Sequence, residues 1–151
     1  MKIGIGADHR GFKTKSQIVH LLRKKGHEVL DYGTKTEDSV DYPDIAIEVA
    51  EAVASAKVVY GILLCHTGQG MVMAANKVRG VRAAFCTESE YARFARAHND
   101  ANVLVVPAGF VDFGKCMQDI IETFLNTAFE GGRHLRRINK IKEYEDSADR
   151  F

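Results

Sequence analysis

Five short apolar runs alternate with longer helical patterns along this chain, and the alternation limits the folds it can adopt. The runs cover residues 2–7, 28–31, 58–64, 81–85 and 103–106. Their length and apolar character are typical of strands buried on both faces of a parallel sheet. Stretches with apolar residues at helical spacing separate the runs. The pattern predicts an α/β fold, a doubly wound three-layer α/β/α sandwich with a five-stranded parallel, Rossmann-like sheet.

Residues that typically start or end helices mark the boundaries of the helical stretches. Gly26 is a plausible stop for the first helix, and Pro43 suits the first turn of the second. Thr87 with Glu90 has the spacing of a capping box and predicts an N-cap at Thr87. Helices are expected over residues 11–25, 43–56, 71–79, 87–97, 113–126 and 133–144. The last is a basic C-terminal helix that leads into a frayed acidic tail.

The bulk composition is that of an ordinary globular protein. With 151 residues, 46% hydrophobic and 27% charged, the chain is expected to form a single domain over residues 1–151. A formal net charge of +1 gives no global attraction to nucleic acid or to an anionic membrane. We find no run of about 20 apolar residues and no signal peptide. Three widely spaced cysteines fit no disulfide framework, so a cytoplasmic location is expected.

The third apolar run ends at Cys65 and continues into the turn Thr67-Gly68-Gln69-Gly70 before a helix. Backbone N–H groups at a helix start favour a thiolate, which can act as a nucleophile or a general base. The alternative is a cysteine that merely packs in the core. The two other cysteines, Cys86 and Cys116, lack such a turn and are expected in the core. The glycines match neither the dinucleotide fingerprint nor the phosphate-loop motif.

Polar residues elsewhere are candidates for acid–base chemistry and anion binding. Asp8 and His9 follow the first strand, and ligands bind at the carboxyl edge of such sheets. His98 is either a solvated loop histidine or an acid–base group. Arg133 and Arg137 lie four residues apart, so they form either a phosphate clamp or an ordinary solvated basic helix. The dispersed histidines predict no metal site.

Several motifs occur together and in order: Asp8-His9, Asp41-Tyr42-Pro43, Gly61 to Cys65 followed by Thr67-Gly68-x-Gly70, Ala74-Ala75-Asn76-Lys77, His98-Asn99-Asp100 and Gly131-Gly132-Arg133-His134. Through about Ile141 the chain resembles type B ribose-5-phosphate isomerases, whose family also holds galactose-6-phosphate isomerase subunits. The resemblance implies an aldose–ketose isomerase of the pentose phosphate pathway that needs no cofactor and no metal. It also implies a homodimer, often paired into a tetramer, with active sites between subunits.

The same resemblance implies roles for individual residues. Cys65 would be the general base that moves a proton between C2 and C1 through a cis-enediolate. His98, helped by Thr67, would open the furanose ring. Backbone N–H groups of His66, Gly68, Gln69 and Gly70 would hold the enediolate oxygen. The remaining substrate contacts would come from Asp8, His9, Tyr42, Asn99, Arg133 and Arg137.

The sequence departs from the family pattern at two places. His66 stands where the family usually has glycine, and residues 107–111 lack an arginine that often follows the fifth strand. The phosphate contact of that arginine is then either absent or supplied elsewhere, for example by Arg136. A six-carbon sugar phosphate remains an alternative substrate. A cysteine hydrolase that uses Cys65 with His98, or a noncatalytic nucleotide-binding module, are more distant alternatives.

Overall fold

A five-stranded sheet lies at the centre of the protein, described here by a computed structural model for residues 1–148. Its strands are β1 (Lys2–Ala7), β2 (Glu28–Asp31), β3 (Tyr60–Cys65), β4 (Ala83–Phe85) and β5 (Val103–Pro107). Every neighbouring pair is parallel, and the order is β2-β1-β3-β5-β4. The prediction of an α/β fold with a five-stranded parallel sheet is therefore confirmed.

Within residues 1–148, six helices accompany the sheet: α1 (Phe12–Lys24), α2 (Tyr42–Ala54), α3 (Gln69–Ala75), α4 (Ser89–Asn99), α5 (Lys115–Asn126) and α6 (Arg133–Ala148). Buried residues of α1, α4 and α5 share one core cluster, and those of α2 and α3 share another. Successive β3 residues alternate between the two clusters, with Ile62 and Leu64 in the first and Leu63 and Cys65 in the second. Helices thus cover both faces of the sheet. None of the helices within residues 1–148 is long and apolar enough to cross a membrane.

The connections that follow β1 and β3 diverge. These strands are neighbours, but β1 leads into α1 on one face and β3 leads into α3 on the other. Residues 8–11 and 66–68 therefore border a crevice at the carboxyl ends of the two strands. Open parallel sheets bind their ligands at such a switch point.

The fourth strand and helix begin later than predicted. The N–H of Arg82 donates to the side chain of Asn102 and that of Ala83 to the side chain of Asn76, so β4 begins only at Ala83. After β4, the N–H of Cys86 still donates to Val105, which keeps the chain extended. Glu88, not Thr87, is therefore the N-cap of α4, and the predicted capping box is wrong.

The C-terminal helix is longer than predicted, and the expectation of a frayed acidic tail from about residue 144 is wrong as far as residue 148. Glu145 accepts a hydrogen bond from the N–H of Gly80 at 3.3 Å, and Asp146 forms an ion pair with Arg79. These contacts fasten the end of α6 to the segment before β4. Residues 149–151 lie outside the described part of the chain.

The two remaining cysteines differ in burial. Cys86 is 1% exposed and belongs to the core, as predicted. Cys116 is exposed, so its assignment to the core is wrong. It lies in the first turn of α5, where its sulfur contacts the carbonyl of Thr87 at 3.9 Å. The apolar face of this helix is instead formed by Met117, Ile120, Ile121 and Phe124.

The buried thiol of Cys86 leads us to expect that the folded protein loses stability at alkaline pH. Burial raises the pKa of its thiol from 9.0 to about 12. Because the folded protein holds this proton more tightly than the unfolded chain, the stabilisation is complete below pH 9.0 and is lost as the pH rises towards the folded pKa. Between about pH 8 and pH 10, the free energy of unfolding should fall by about 1.4 kcal/mol more in the wild type than in Cys86→Ala. Urea denaturation measures both, and equal pH slopes would contradict the prediction.

Candidate active site

Cys65 is the last residue of β3, and its sulfur lies within a tight turn. The N–H of Gly68 donates to Sγ at 3.0 Å. Gly68 has φ +77°, a conformation that glycine adopts without steric cost, and the ring of Phe85 packs where a Cβ would project. A side chain at position 68 would therefore disturb both the turn and the hydrogen bond to the sulfur.

The pKa of Cys65 is raised, contrary to the expectation that the turn favours the thiolate. Burial is the main cause, because Cys65 is only 5% exposed and the charged thiolate loses hydration. The N–H of Gly68 is the largest opposing influence, the negative charge of Asp8 adds to the increase, and the N–H groups of Met71 and Thr67 oppose it. The turn thus stabilises a thiolate that burial disfavours. Once formed, this thiolate is a stronger base than an exposed one.

Asp8 stands beside Cys65 across the crevice and is itself buried. Its N–H donates to the carbonyl of Leu64, the residue before Cys65, at 3.2 Å. Its carboxylate accepts hydrogen bonds from the N–H groups of Arg10 and Gly11, each at 3.0 Å. Asp8 therefore holds the turn that leads into α1 and places one negative charge near the sulfur.

His9 and Tyr42 border the same crevice. The Nδ1 atom of His9 accepts a hydrogen bond from the N–H of Val40 at 3.4 Å, which ties the loop before α2 to the end of β1. The ring of Tyr42 packs directly on Gly70, where any Cβ would overlap it. The first group of predicted residues, from Asp8 to the 65–70 turn, is thus brought together at the carboxyl edge.

The two parts of the chain that depart from the family pattern, His66 and residues 107–111, contact each other. The ring of His66 packs on Gly109, and it lies 5.5 Å from the ring of Phe110 with a tilt of 47°. The backbone joins the segments as well, since the N–H of Gly109 donates to the carbonyl of His66 at 2.9 Å. Phe110 is 74% exposed. Phe110, in the segment that lacks the arginine, therefore forms an aromatic pair with His66.

The second group of predicted residues lies at the opposite edge of the sheet. His98 and Asn99 end α4, and the carbonyl of Asn99 accepts a hydrogen bond from Arg82, just before β4. Arg96 lies 4.8 Å above the ring of Tyr60, the first residue of β3. Cys65 is the last residue of β3, and five residue steps of about 3.3 Å place roughly 16 Å between the two strand ends. Within one chain, His98 therefore does not reach Cys65.

His98 belongs to a compact cluster with two residues that the sequence analysis did not assign to the site. Its ring stacks on that of His134, with centroids 4.2 Å apart and planes at 9°. One carboxylate oxygen of Glu130 lies 3.8 Å from Nε2 of His98 and 3.6 Å from Nε2 of His134. Burial is the first cause that lowers the pKa of His134, followed by the charges of His98 and Arg133. In the sequence, the four-residue spacing of Glu130 and His134 is the pattern that could have indicated this cluster.

Arg133 and Arg137 begin α6 and are exposed, next to the buried His134. Because they are four residues apart on the same helix, they share one face, as predicted. The second group thus consists of an acid–base candidate, an amide and two guanidinium groups at the amino edge. The predicted site residues of one chain therefore form two separate groups, one at each edge of the sheet.

The protein belongs to the class of parallel α/β sandwiches, with a buried cysteine in a glycine turn at the switch point of the sheet. Comparison with known proteins gives the family. The sequence model of the ribose/galactose isomerase family matches residues 3–141. Ribose-5-phosphate isomerase B of Escherichia coli is 43% identical over 144 residues, which cover 95% of this chain and 96% of that protein. The chain belongs to the ribose/galactose isomerase family.

Solved structures agree with this assignment. Ribose-5-phosphate isomerase B of Clostridium thermocellum is 49% identical and superposes with a TM-score of 0.96, over 98% of this chain and 99% of that one. The enzyme of Mycoplasma genitalium, solved with bound ribulose 5-phosphate, is 44% identical with a TM-score of 0.91 and covers 96% of both chains. The resemblance stated from the motifs is therefore confirmed at the level of the family.

Proposed function

We propose that the protein interconverts ribose 5-phosphate and ribulose 5-phosphate through a cis-enediolate. The observation that carries the proposal is the Cys65 turn, in which a buried sulfur accepts an N–H hydrogen bond at the switch point of the sheet. Relatives that match nearly the whole chain are named for this activity. The proposed place of the reaction is the pentose phosphate pathway.

Cys65 is the proposed general base. Its thiolate removes the proton from C2 of the open aldose and returns it to C1, while the hydroxyl proton of O2 moves to O1 and the negative charge of the intermediate resides on the enediolate oxygens. A C–H proton is weakly acidic, so a thiolate with a raised pKa suits its removal, provided that the turn stabilises the ionised form. Backbone N–H groups of residues 66–70 are the proposed donors to the enediolate, because amides fixed in a turn need no reorganisation as charge develops.

A second copy of the chain is the proposed source of the remaining residues. The groups at the two edges of the sheet lie roughly 16 Å apart in one chain, which is too far for both to contact one five-carbon substrate. In a homodimer with twofold symmetry, each contact across the single interface occurs twice, and the amino-edge group of one chain can face the carboxyl-edge group of the other. Pairing of such dimers into tetramers needs no further residue at the site.

Each group then has a distinct task. His98, assisted by Thr67, opens the sugar ring by moving a proton between the anomeric hydroxyl and the ring oxygen. Arg133 and Arg137 of the same chain as His98 bind the phosphate, whose binding energy positions the reacting carbons. Asp8, His9, Tyr42 and Asn99 are the proposed contacts of the sugar hydroxyls and phosphate.

Substrate choice is the direct test of this proposal. Turnover of ribose 5-phosphate should exceed that of allose 6-phosphate and galactose 6-phosphate by at least about tenfold in kcat/KM, a typical size for pocket-based discrimination. His66, next to Cys65, pairs with Phe110, and this pair is the feature that we propose to favour the smaller sugar. A preference for a six-carbon sugar would retain the chemistry and reverse the assigned substrate. Absence of turnover with all three would reject the isomerase.

The ring-opening step can be separated from proton transfer between carbons. His98→Asn should lower kcat with ribose 5-phosphate, which is mostly cyclic, by roughly 10²-fold or more. Ribulose 5-phosphate has no furanose form comparable to that of the aldose, so the reverse reaction needs no ring opening of its substrate. The kcat of the reverse reaction should therefore fall less, when it is measured with a coupling reagent that traps the open product. Equal losses in both directions would argue against a role in ring opening. Asn126→Ala, at the exposed end of α5, is a matched surface control.

A further inference from the structure

We propose that His98, Glu130 and His134 form a binding site for a divalent transition-metal ion such as Zn²⁺, and that the bound ion inhibits the enzyme. The ligand atoms of the three side chains all lie within 4.8 Å of one another. Two imidazoles and one carboxylate are an established donor set for zinc in proteins. The binding step stands on this geometry alone, whereas inhibition also rests on the proposed role of His98.

The ligand atoms of the cluster lie near the separations that a bound ion would impose. Zinc bonds of about 2.0–2.1 Å place tetrahedral ligand atoms roughly 3.3 Å apart. The two measured separations from the Glu130 oxygen, 3.8 Å to His98 and 3.6 Å to His134, exceed this value slightly. The stacked rings present their Nε2 atoms to the same carboxylate oxygen. Because the lone pair of each nitrogen lies in its ring plane, the rings must tilt out of their parallel stack for both Nε2 atoms to face one ion.

The backbone around the cluster holds its members together. The N–H of Glu130 donates to the carbonyl of Ala97, the neighbour of His98, at 3.0 Å. The N–H of His134 donates to the carbonyl of Gly131 at 3.1 Å, which fixes the first turn of α6. His134 is buried, His98 is partly exposed and Glu130 is exposed. One ligand is thus anchored in the protein, while the exposed side leaves room for water to complete the coordination.

Nearby cations weaken the site. Arg133 and Arg137 lie close to His134, and Arg93 interacts with the charge of Glu130. These cations oppose an incoming ion by repulsion. We therefore expect reversible binding rather than a permanently occupied structural site.

Inhibition follows from the atom that the ion would occupy. A metal bound to Nε2 of His98 takes the lone pair that this nitrogen needs to accept a proton. The imidazole can then no longer pass a proton between the anomeric hydroxyl and the ring oxygen. The positive ion also competes with Arg133 and Arg137 for the substrate phosphate. Both effects predict slower turnover that is restored when the ion is removed.

Calorimetric titration of the tag-free full-length protein with Zn²⁺ tests the site, and absorption of bound Co²⁺ reports its ligands. Binding should saturate at one ion per chain. Glu130→Gln and His134→Asn should each weaken it by at least about tenfold, since loss of even an outer partner of a metal ligand costs about 10–100-fold. His20→Asn, at an exposed position of α1, should leave it unchanged. Cys65→Ala should also leave binding unchanged, which excludes zinc bound at the thiol.

Several outcomes would overturn the proposal. Absence of binding, or binding that is equally strong in both Glu130→Gln and His134→Asn, would remove the site. If His134→Asn loses its fold by circular dichroism, Glu130→Gln alone decides, because Glu130 is an exposed loop residue. Inhibition of ribose 5-phosphate turnover that persists in Glu130→Gln would place the inhibitory ion elsewhere. Zinc binding at the cluster by a protein that turns over no sugar phosphate would uphold the site and reject the isomerase.

Discussion

Replacement of Cys65 by alanine is expected to abolish isomerisation and to leave sugar-phosphate binding intact. The variant removes the only atom proposed to carry the proton between C2 and C1, and a positioned general base typically contributes about 10²–10⁴-fold to the rate. The phosphate contacts proposed for Arg133 and Arg137 do not involve the sulfur. We therefore expect kcat to fall by at least about 10²-fold, with the affinity for ribose 5-phosphate, measured by calorimetry, changed by less than about threefold.

Cys116→Ser is the matched control for this prediction. Cys116 is a free, exposed cysteine on α5, so its loss should leave kcat close to that of the wild type. Thermal unfolding of Cys65→Ala should be compared as well, because Cys65 is packed in the core and alanine leaves a small cavity. Near-normal turnover in Cys65→Ala would reject its role as the base. A covalent acyl-enzyme trapped on the wild type would instead support the hydrolase alternative.

Local patterns in the sequence were sufficient to predict the sheet and a candidate ligand-binding edge. Apolar runs identified all five strands, and the rule that parallel sheets bind ligands at their carboxyl ends singled out Asp8, after β1, and Cys65, at the end of β3. Errors arose where a hydrogen-bond partner from a distant part of the chain, either a side chain or a backbone carbonyl, sets the local conformation. Asn102 takes the N–H of Arg82, and Val105 keeps Cys86 extended, so β4 and α4 begin later than local signals indicate.

The direction of the pKa shift of Cys65 could not be predicted from the turn motif. A helix start predicts a lowered pKa. The pKa of Cys65 is instead raised, because desolvation by the surrounding core outweighs the N–H groups of the turn. Burial depends on the packing of α2 and α3 around the sulfur, which no local pattern specifies. The cluster of His98, Glu130 and His134 was missed for a similar reason. His98 ends one helix and His134 begins another, and only the packed fold stacks their rings.

The separation of Cys65 from His98 leads to the sharpest test of the proposed site. Cys65→Ala and His98→Asn should each be inactive alone, but co-expression of the two chains should restore about a quarter of the wild-type activity per chain. The reason is symmetry: half of randomly formed dimers contain one chain of each kind, and one of the two sites in such a dimer combines an intact Cys65 with an intact His98. Turnover of ribose 5-phosphate by the purified mixture measures this recovery.

A double variant provides the matched control for sharing between subunits. When Cys65→Ala and His98→Asn are combined in one chain and mixed with the wild type, every mixed dimer has two defective sites, because each site lacks either the base or the histidine. The wild-type chains should then lose about half of their activity in an equimolar random mixture. If each chain instead carried a complete site, the first mixture would stay inactive and the wild-type chains of the second would keep their full activity. If both mixtures behave as predicted for a shared site, a site formed within one chain is excluded. The geometry agrees, because β3 places roughly 16 Å between the histidine at the amino edge and the sulfur at the carboxyl edge of the same chain.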